Sequence, residues 1–113
     1  MIEVPLHAVA HSRAGDKGNR LNMSLIPYRP ELYTMLAEQV TAKRVLALFR
    51  HRGATTCVRH DLPLLHAFNF VVDEVLEGGV NGSLNLDGHG KTHSFRLLAL
   101  RLQVPEHLLE RPV

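Results

Sequence analysis

Hydrophobic and polar positions alternate over several short stretches of this chain, and between them apolar residues recur at helical spacing. Residues 4–10 place Val4, Leu6, Ala8 and Ala10 on one face and His7 and Val9 on the other, which predicts a strand with Pro5 tolerated near its start. Residues 20–26 alternate cleanly: Leu21, Met23 and Leu25 fall together, Asn22 and Ser24 opposite, predicting a strand with one buried face. The intervening residues 11–19 are longer than a tight hairpin needs and read as a polar loop.

Pro30 suits the first turn of a helix carrying Leu32, Met35, Leu36 and Val40. Thr41 caps a second helix with Val45, Leu46, Leu48 and Phe49, which Gly53 ends. Residues 54–60 favour a strand. Pro63 then opens an apolar stripe through Leu64, Leu65, Phe68, Val71, Val72, Val75 and Leu76, which predicts a helix over 63–77 stopped by Gly78-Gly79. Residues 80–87 alternate again, and Asp87-Gly88-His89-Gly90 reads as a hairpin turn. Residues 95–104 fit a return strand, with a helical turn as the alternative for the first half; the tail from Pro105 reads as loosely packed. The order ββααβαββ predicts an α+β fold, with helices on one face of a small, mostly antiparallel sheet.

Composition bounds the function. With 113 residues, 45% apolar and 21% charged, the chain is a single ordinary globular domain spanning 1–113. No apolar run approaches the ~20 residues of a membrane span, and residues 1–5 lack the pattern of a secretory signal. The single cysteine, Cys57, excludes an intrachain disulfide and favours a reducing cytoplasm. Thirteen basic against eleven acidic residues make too small an excess for a nucleic-acid footprint.

The chemistry concentrates in residues 11–19. Glycines there turn backbone N–H groups towards one point while cations supply charge, so Arg13, Gly15, Asp16, Lys17, Gly18 and Asn19 form a candidate anion site. A plain polar surface loop is the competing reading. Gly90 and Lys91 offer a second glycine-plus-lysine corner. A strand–helix–strand unit over 54–87 with a right-handed crossover gathers that corner, the 63–77 helix start and the 11–19 loop at one sheet end. His66 and Asn69 then sit beside the helix's positive end, with His66 a candidate base. The eight histidines lack metal-ligand spacing, so no metal or cofactor is expected. Cys57 reads as a buried apolar side chain, and Ser12 and Ser24 lack a nucleophile-elbow context.

The run Ala10-His11-Ser12-Arg13-Ala14-Gly15-Asp16-Lys17-Gly18-Asn19, with Asn22 and Pro30-Glu31-Leu32-Tyr33 following, resembles the start of the C-terminal domain of the acyclic terpene utilisation protein A (AtuA) family. The resemblance continues through Leu62-Pro63, Ala67-Phe68-Asn69-Phe70, Gly78-Gly79, Ser83-Leu84, Asp87, Gly90-Lys91 and Leu97-Leu98, covering residues 4–104. It implies a ferredoxin-like α+β domain in a bacterial family linked to breakdown of terpenoid and branched acyl-CoA compounds. In full-length members a larger domain precedes this one. The resemblance therefore implies an accessory subunit that binds a separate large-domain AtuA-type protein, a small anionic or CoA-linked metabolite, or both. It supplies no catalytic residue.

Two other readings stand beside this one. One is a small lyase, hydratase or isomerase acting on an acyl-CoA thioester with Asp16, Lys17 or His66; the other is a purely structural oligomer. Helices on one sheet face leave the other open, and a homo-oligomer, a dimer or larger, built through that face is expected.

Overall fold

The computed structural model describes residues 1–17, 20–74 and 94–109, with only the backbone of Asp16 and Lys17. A four-stranded antiparallel sheet in the order β2-β3-β5-β4 is formed by β2 (Ala10–Lys17), β3 (Arg20–Pro27), β4 (Thr56–Leu62) and β5 (Ala67–Asp73). A separate two-stranded ribbon pairs β1 (Ile2–Pro5) with β6 (Arg101–Val104). Helices α1 (Tyr33–Gln39) and α2 (Ala42–Phe49) connect β3 to β4.

Register sorts the side chains into two faces, because residues directly opposite each other point the same way. Leu21 pairs with Val72, Met23 with Phe70 and Leu25 with Phe68. All six are buried in one core with Leu32 and Leu36 of the first helical stretch and Val45 and Phe49 of α2. Thr41 caps α2 as expected, its hydroxyl accepting from the Arg44 N–H at 3.2 Å. After a 3-10 turn at Arg50–Arg52, Gly53 stops the helical path at φ 92°, a left-handed value that glycine adopts without strain.

The mixed α and β architecture with antiparallel pairing agrees with the sequence expectation, whereas several element boundaries do not. Residues 4–10 are not one strand: β1 ends at Pro5, a 3-10 turn covers Leu6–Ala8, and β2 begins at Ala10. Leu6 and Val9, three apart, are both buried, so the local period is three rather than two. The polar loop expected over 11–19 is largely strand. Ala10–Lys17 pairs with Arg20–Pro27, and only residues 18 and 19 remain to join them.

The helix expected over 63–77 is absent. Pro63–Leu65 makes one 3-10 turn, His66 takes a left-handed conformation at φ 48°, and Ala67–Asp73 is a strand. Phe68, Phe70 and Val72 are buried while Asn69, Val71 and Asp73 are half-buried between them, the period of two that defines a strand. Hence β4 and β5 form an antiparallel hairpin, not the two parallel strands of a crossover unit, and the order ββααβαββ becomes βββααββ before residue 74. Residues 94–98 are helical, and only 101–104 of the expected 95–104 strand is extended. The tail is less loose than expected: Glu106–Leu109 forms a 3-10 turn with Leu108 and Leu109 packed against the core. The 80–87 strand and the 87–91 turn lie outside the described residues.

Candidate functional site

Both helices pack on one face of the four-stranded sheet, and no described element covers the other. Reading across that open face in register, Arg13 of β2 lies beside Ser24 of β3, Ser24 beside Asn69 of β5, and Asn69 beside His60 of β4. Neighbouring strands lie about 4.8 Å apart, so this polar row spans roughly 14 Å. Arg13 and His60 are exposed, Ser24 and Asn69 half-buried. Gly15, Asn22, Val71 and Val58 form the next row. In the row beyond, the Arg20 guanidinium holds Asp73 at 2.7 Å, and Thr56 adds a hydroxyl to the same carboxylate at 3.3 Å.

Each polar member has a defined setting. The Ser24 hydroxyl accepts from the Arg13 backbone N–H at 3.1 Å and lies 3.4 Å from the Arg13 carbonyl, tying the row to the backbone. The Arg13 guanidinium makes no ion pair among the described residues, unlike Arg20, Arg29, Arg59 and Arg101. A guanidinium fork in this position can receive a carboxylate or phosphate through two parallel hydrogen bonds. Asn69 and His60 extend the same surface with groups that donate or accept.

Of the residues singled out in the sequence, Arg13, Gly15 and Asn69 come together on this face. Arg13 and Gly15 do so from a strand, not from a loop. Gly15 has no left-handed φ, and a Cβ there would meet open space, so it makes no turn towards an anion. The backbone of Asp16 pairs with Leu21 and that of Lys17 with Arg20. Gly18, Asn19, Gly90 and Lys91 lie outside the described residues.

His66 belongs elsewhere. It lies in the β4–β5 link with its ring edge-on to Tyr33, 5.8 Å between centroids, and Tyr33 stacks on Phe68 at 4.6 Å. That link and the Lys17–Arg20 connection occupy opposite ends of the sheet, seven residues apart along β5, or roughly 24 Å. Within one chain, His66 and the backbone of Lys17 are therefore too far apart to share a reaction centre. His66 also has no helix start beside it, since β5 replaces the helix. The sequence reading missed His60 and Ser24. The signal for His60 was present in the Val58, His60, Leu62 alternation, which sets it on a strand face.

Other chemistry is limited. The Cys57 thiol is pushed up to about 11 by burial, which keeps it protonated and unreactive near neutral pH. No group of three or more His, Cys, Asp or Glu gathers among the described residues in a way that could hold a metal ion. No helix among them is long and apolar enough to cross a membrane.

In comparison with known protein families, the family model of the AtuA ferredoxin-like domain matches residues 4–103. Neither a curated protein nor a solved structure matches the chain.

Proposed function

The chain belongs to the AtuA ferredoxin-like domain family, and from that premise we propose that it is an accessory binding domain serving terpenoid or branched acyl-CoA catabolism. Its ligand is a small anionic metabolite of the acyl-CoA class, received on the open face of the four-stranded sheet. Its protein partner is a large-domain AtuA-type protein. The observation that carries this reading is the row Arg13, Ser24, Asn69, His60, which sets a guanidinium with no ion pair among the described residues and three hydrogen-bonding side chains on a face no described element covers. Acyl-CoA compounds carry phosphates and a polar thioester-linked arm, which suit such a row.

Calorimetric titration with coenzyme A esters tests the ligand, and co-purification with a separately produced large-domain protein tests the partner. Saturable ester binding is expected, weakened at least tenfold by Arg13→Ala, since a charge-assisted hydrogen bond contributes about 1.5–3 kcal/mol. Absence of both binding events overturns the reading, as does an Arg13→Ala variant that binds like the parent.

A further inference from the structure

The strand order leaves β4 with a neighbour on one side only among the described residues. An exposed edge strand of seven residues is a template for a further strand unless something blunts it. This one reads Thr56-Cys57-Val58-Arg59-His60-Asp61-Leu62, and its chemistry is symmetric about His60. One residue to either side, Arg59 and Asp61 carry opposite charges. Two residues away, Val58 and Leu62 are both apolar.

In an antiparallel pair of identical strands, residues directly opposite share a face, so only registers centred on a residue keep the two sheets flush. Centring on Arg59 or on Asp61 sets like charge against like. Centring on Val58 sets Arg59 against Cys57. Centring on His60 alone sets each Arg59 against the second copy's Asp61 and each Val58 against its Leu62. We propose that a second copy of this chain docks along β4 by antiparallel pairing centred on His60, joining two four-stranded sheets into one.

The exposed apolar surface agrees with that occupant. Val58 is 50% exposed, Leu62 38%, Leu64 95% and Leu65 70%, and all four lie on this strand or the turn that ends it. The same turn walls a hollow of about 310 Å³ lined by Asp61, Leu62, Pro63, Leu64 and Leu65. In the His60 register that hollow faces the second copy's Thr56 end. The charges are already in position. Arg59 is fixed by the carbonyls of Ala37 at 2.7 Å and Val40 at 3.0 Å and lies over the Phe68 ring. It holds Asp61 at 2.7 Å, and Asp61 stays exposed enough to accept a second guanidinium.

The pairing goes beyond the proposed function because it uses the edge and leaves the open face uncovered. It carries the polar row across the axis, so that Arg13, Ser24, Asn69 and His60 continue into the same four residues in reverse.

Cysteine cross-linking tests the register. Directly opposed residues have Cα atoms about 4.5 or 5.5 Å apart, within disulfide reach. His60→Cys in a Cys57→Ser background, oxidised with copper–phenanthroline, is expected to run largely as a covalent dimer. His11→Cys on the opposite edge strand, in the same background, is expected to stay monomeric. Asp61→Lys opposes like charges twice and is expected to weaken self-association roughly tenfold by sedimentation. A His60→Cys chain that stays monomeric, a His11→Cys chain that cross-links as readily, or an Asp61→Lys chain that sediments like the parent overturns the proposal. A monomer that still binds coenzyme A esters through Arg13 overturns the pairing and leaves the proposed function standing. A parent chain that sediments as a dimer but binds no ester and no large-domain protein does the reverse.

Discussion

Strands β3 and β5 run side by side through the middle of the same sheet, set three directly opposed pairs of buried residues into the same core, and were unequally legible. In β3 the residues between the buried ones are Asn22 and Ser24, so inward and outward positions differ in chemistry. In β5 the corresponding positions hold Asn69 and Val71, so Phe68-Asn69-Phe70-Val71-Val72 is apolar at four of five places and suits a helical stripe equally well. Local pattern specifies a strand when its two faces meet different solvents. Where the outward residue is also apolar, only pairing to a neighbour decides.

The difference between the faces can be broken experimentally, beginning with the core. Phe70→Ala is expected to cost about 3–5 kcal/mol in urea unfolding, since it opens a cavity against Met23 and Phe68. Val71→Ala, one residue along on the half-buried open face, is expected to cost about 1 kcal/mol or less. Equal losses would mean that the open face is packed as tightly as the inner one. Asn22→Val gives β3 the same ambiguity as β5; with β5 already paired beside it, stability is expected to stay within about 0.5 kcal/mol and strand content to remain unchanged by circular dichroism.

Smaller effects mark the ends of the comparison. Arg20 and Asp73 join β3 to β5, and the Arg20 hydrogen bond holds the Asp73 carboxyl below its ordinary value. The folded state therefore gains from this pair above the ordinary carboxylate range and loses that gain as pH falls through the lowered value. An NMR titration should show the Asp73 midpoint rising towards 3.8 in Arg20→Gln. For Cys57, on the inner face of β4, iodoacetamide alkylation at pH 8 should be slow beside the unfolded chain and accelerate only as pH approaches 11.

Much of the architecture was readable. Leu21, Met23 and Leu25, the Thr41 cap and the Gly53 stop needed no more than local pattern and turn chemistry. Leu6 and Val9 were misassigned because a single 3-10 turn mimics alternation over so short a span. Residues 11–17 were misassigned for a different reason. Polar and small residues on an edge strand, with Ser12 and Ala14 only half-buried and Arg13 exposed, give no apolar stripe to read. That miss also displaced the candidate site. Arg13, Gly15 and Asn69 share the open face, but β-strands present them outward in two adjacent rows where a glycine loop would have turned backbone amides onto one point.

The β6 side of the ribbon is closed where the β4 edge of the main sheet has no described neighbour. The Gln39 carboxamide donates to the Gln103 carbonyl at 2.8 Å and accepts from the Gln103 N–H at 2.8 Å. A primary amide offers the same donor and acceptor as a peptide unit, so the last residue of α1 serves β6 as a surrogate strand one residue long. The ribbon is thereby stoppered at Gln103, and any chain growing a sheet there would have to evict a helix terminus first.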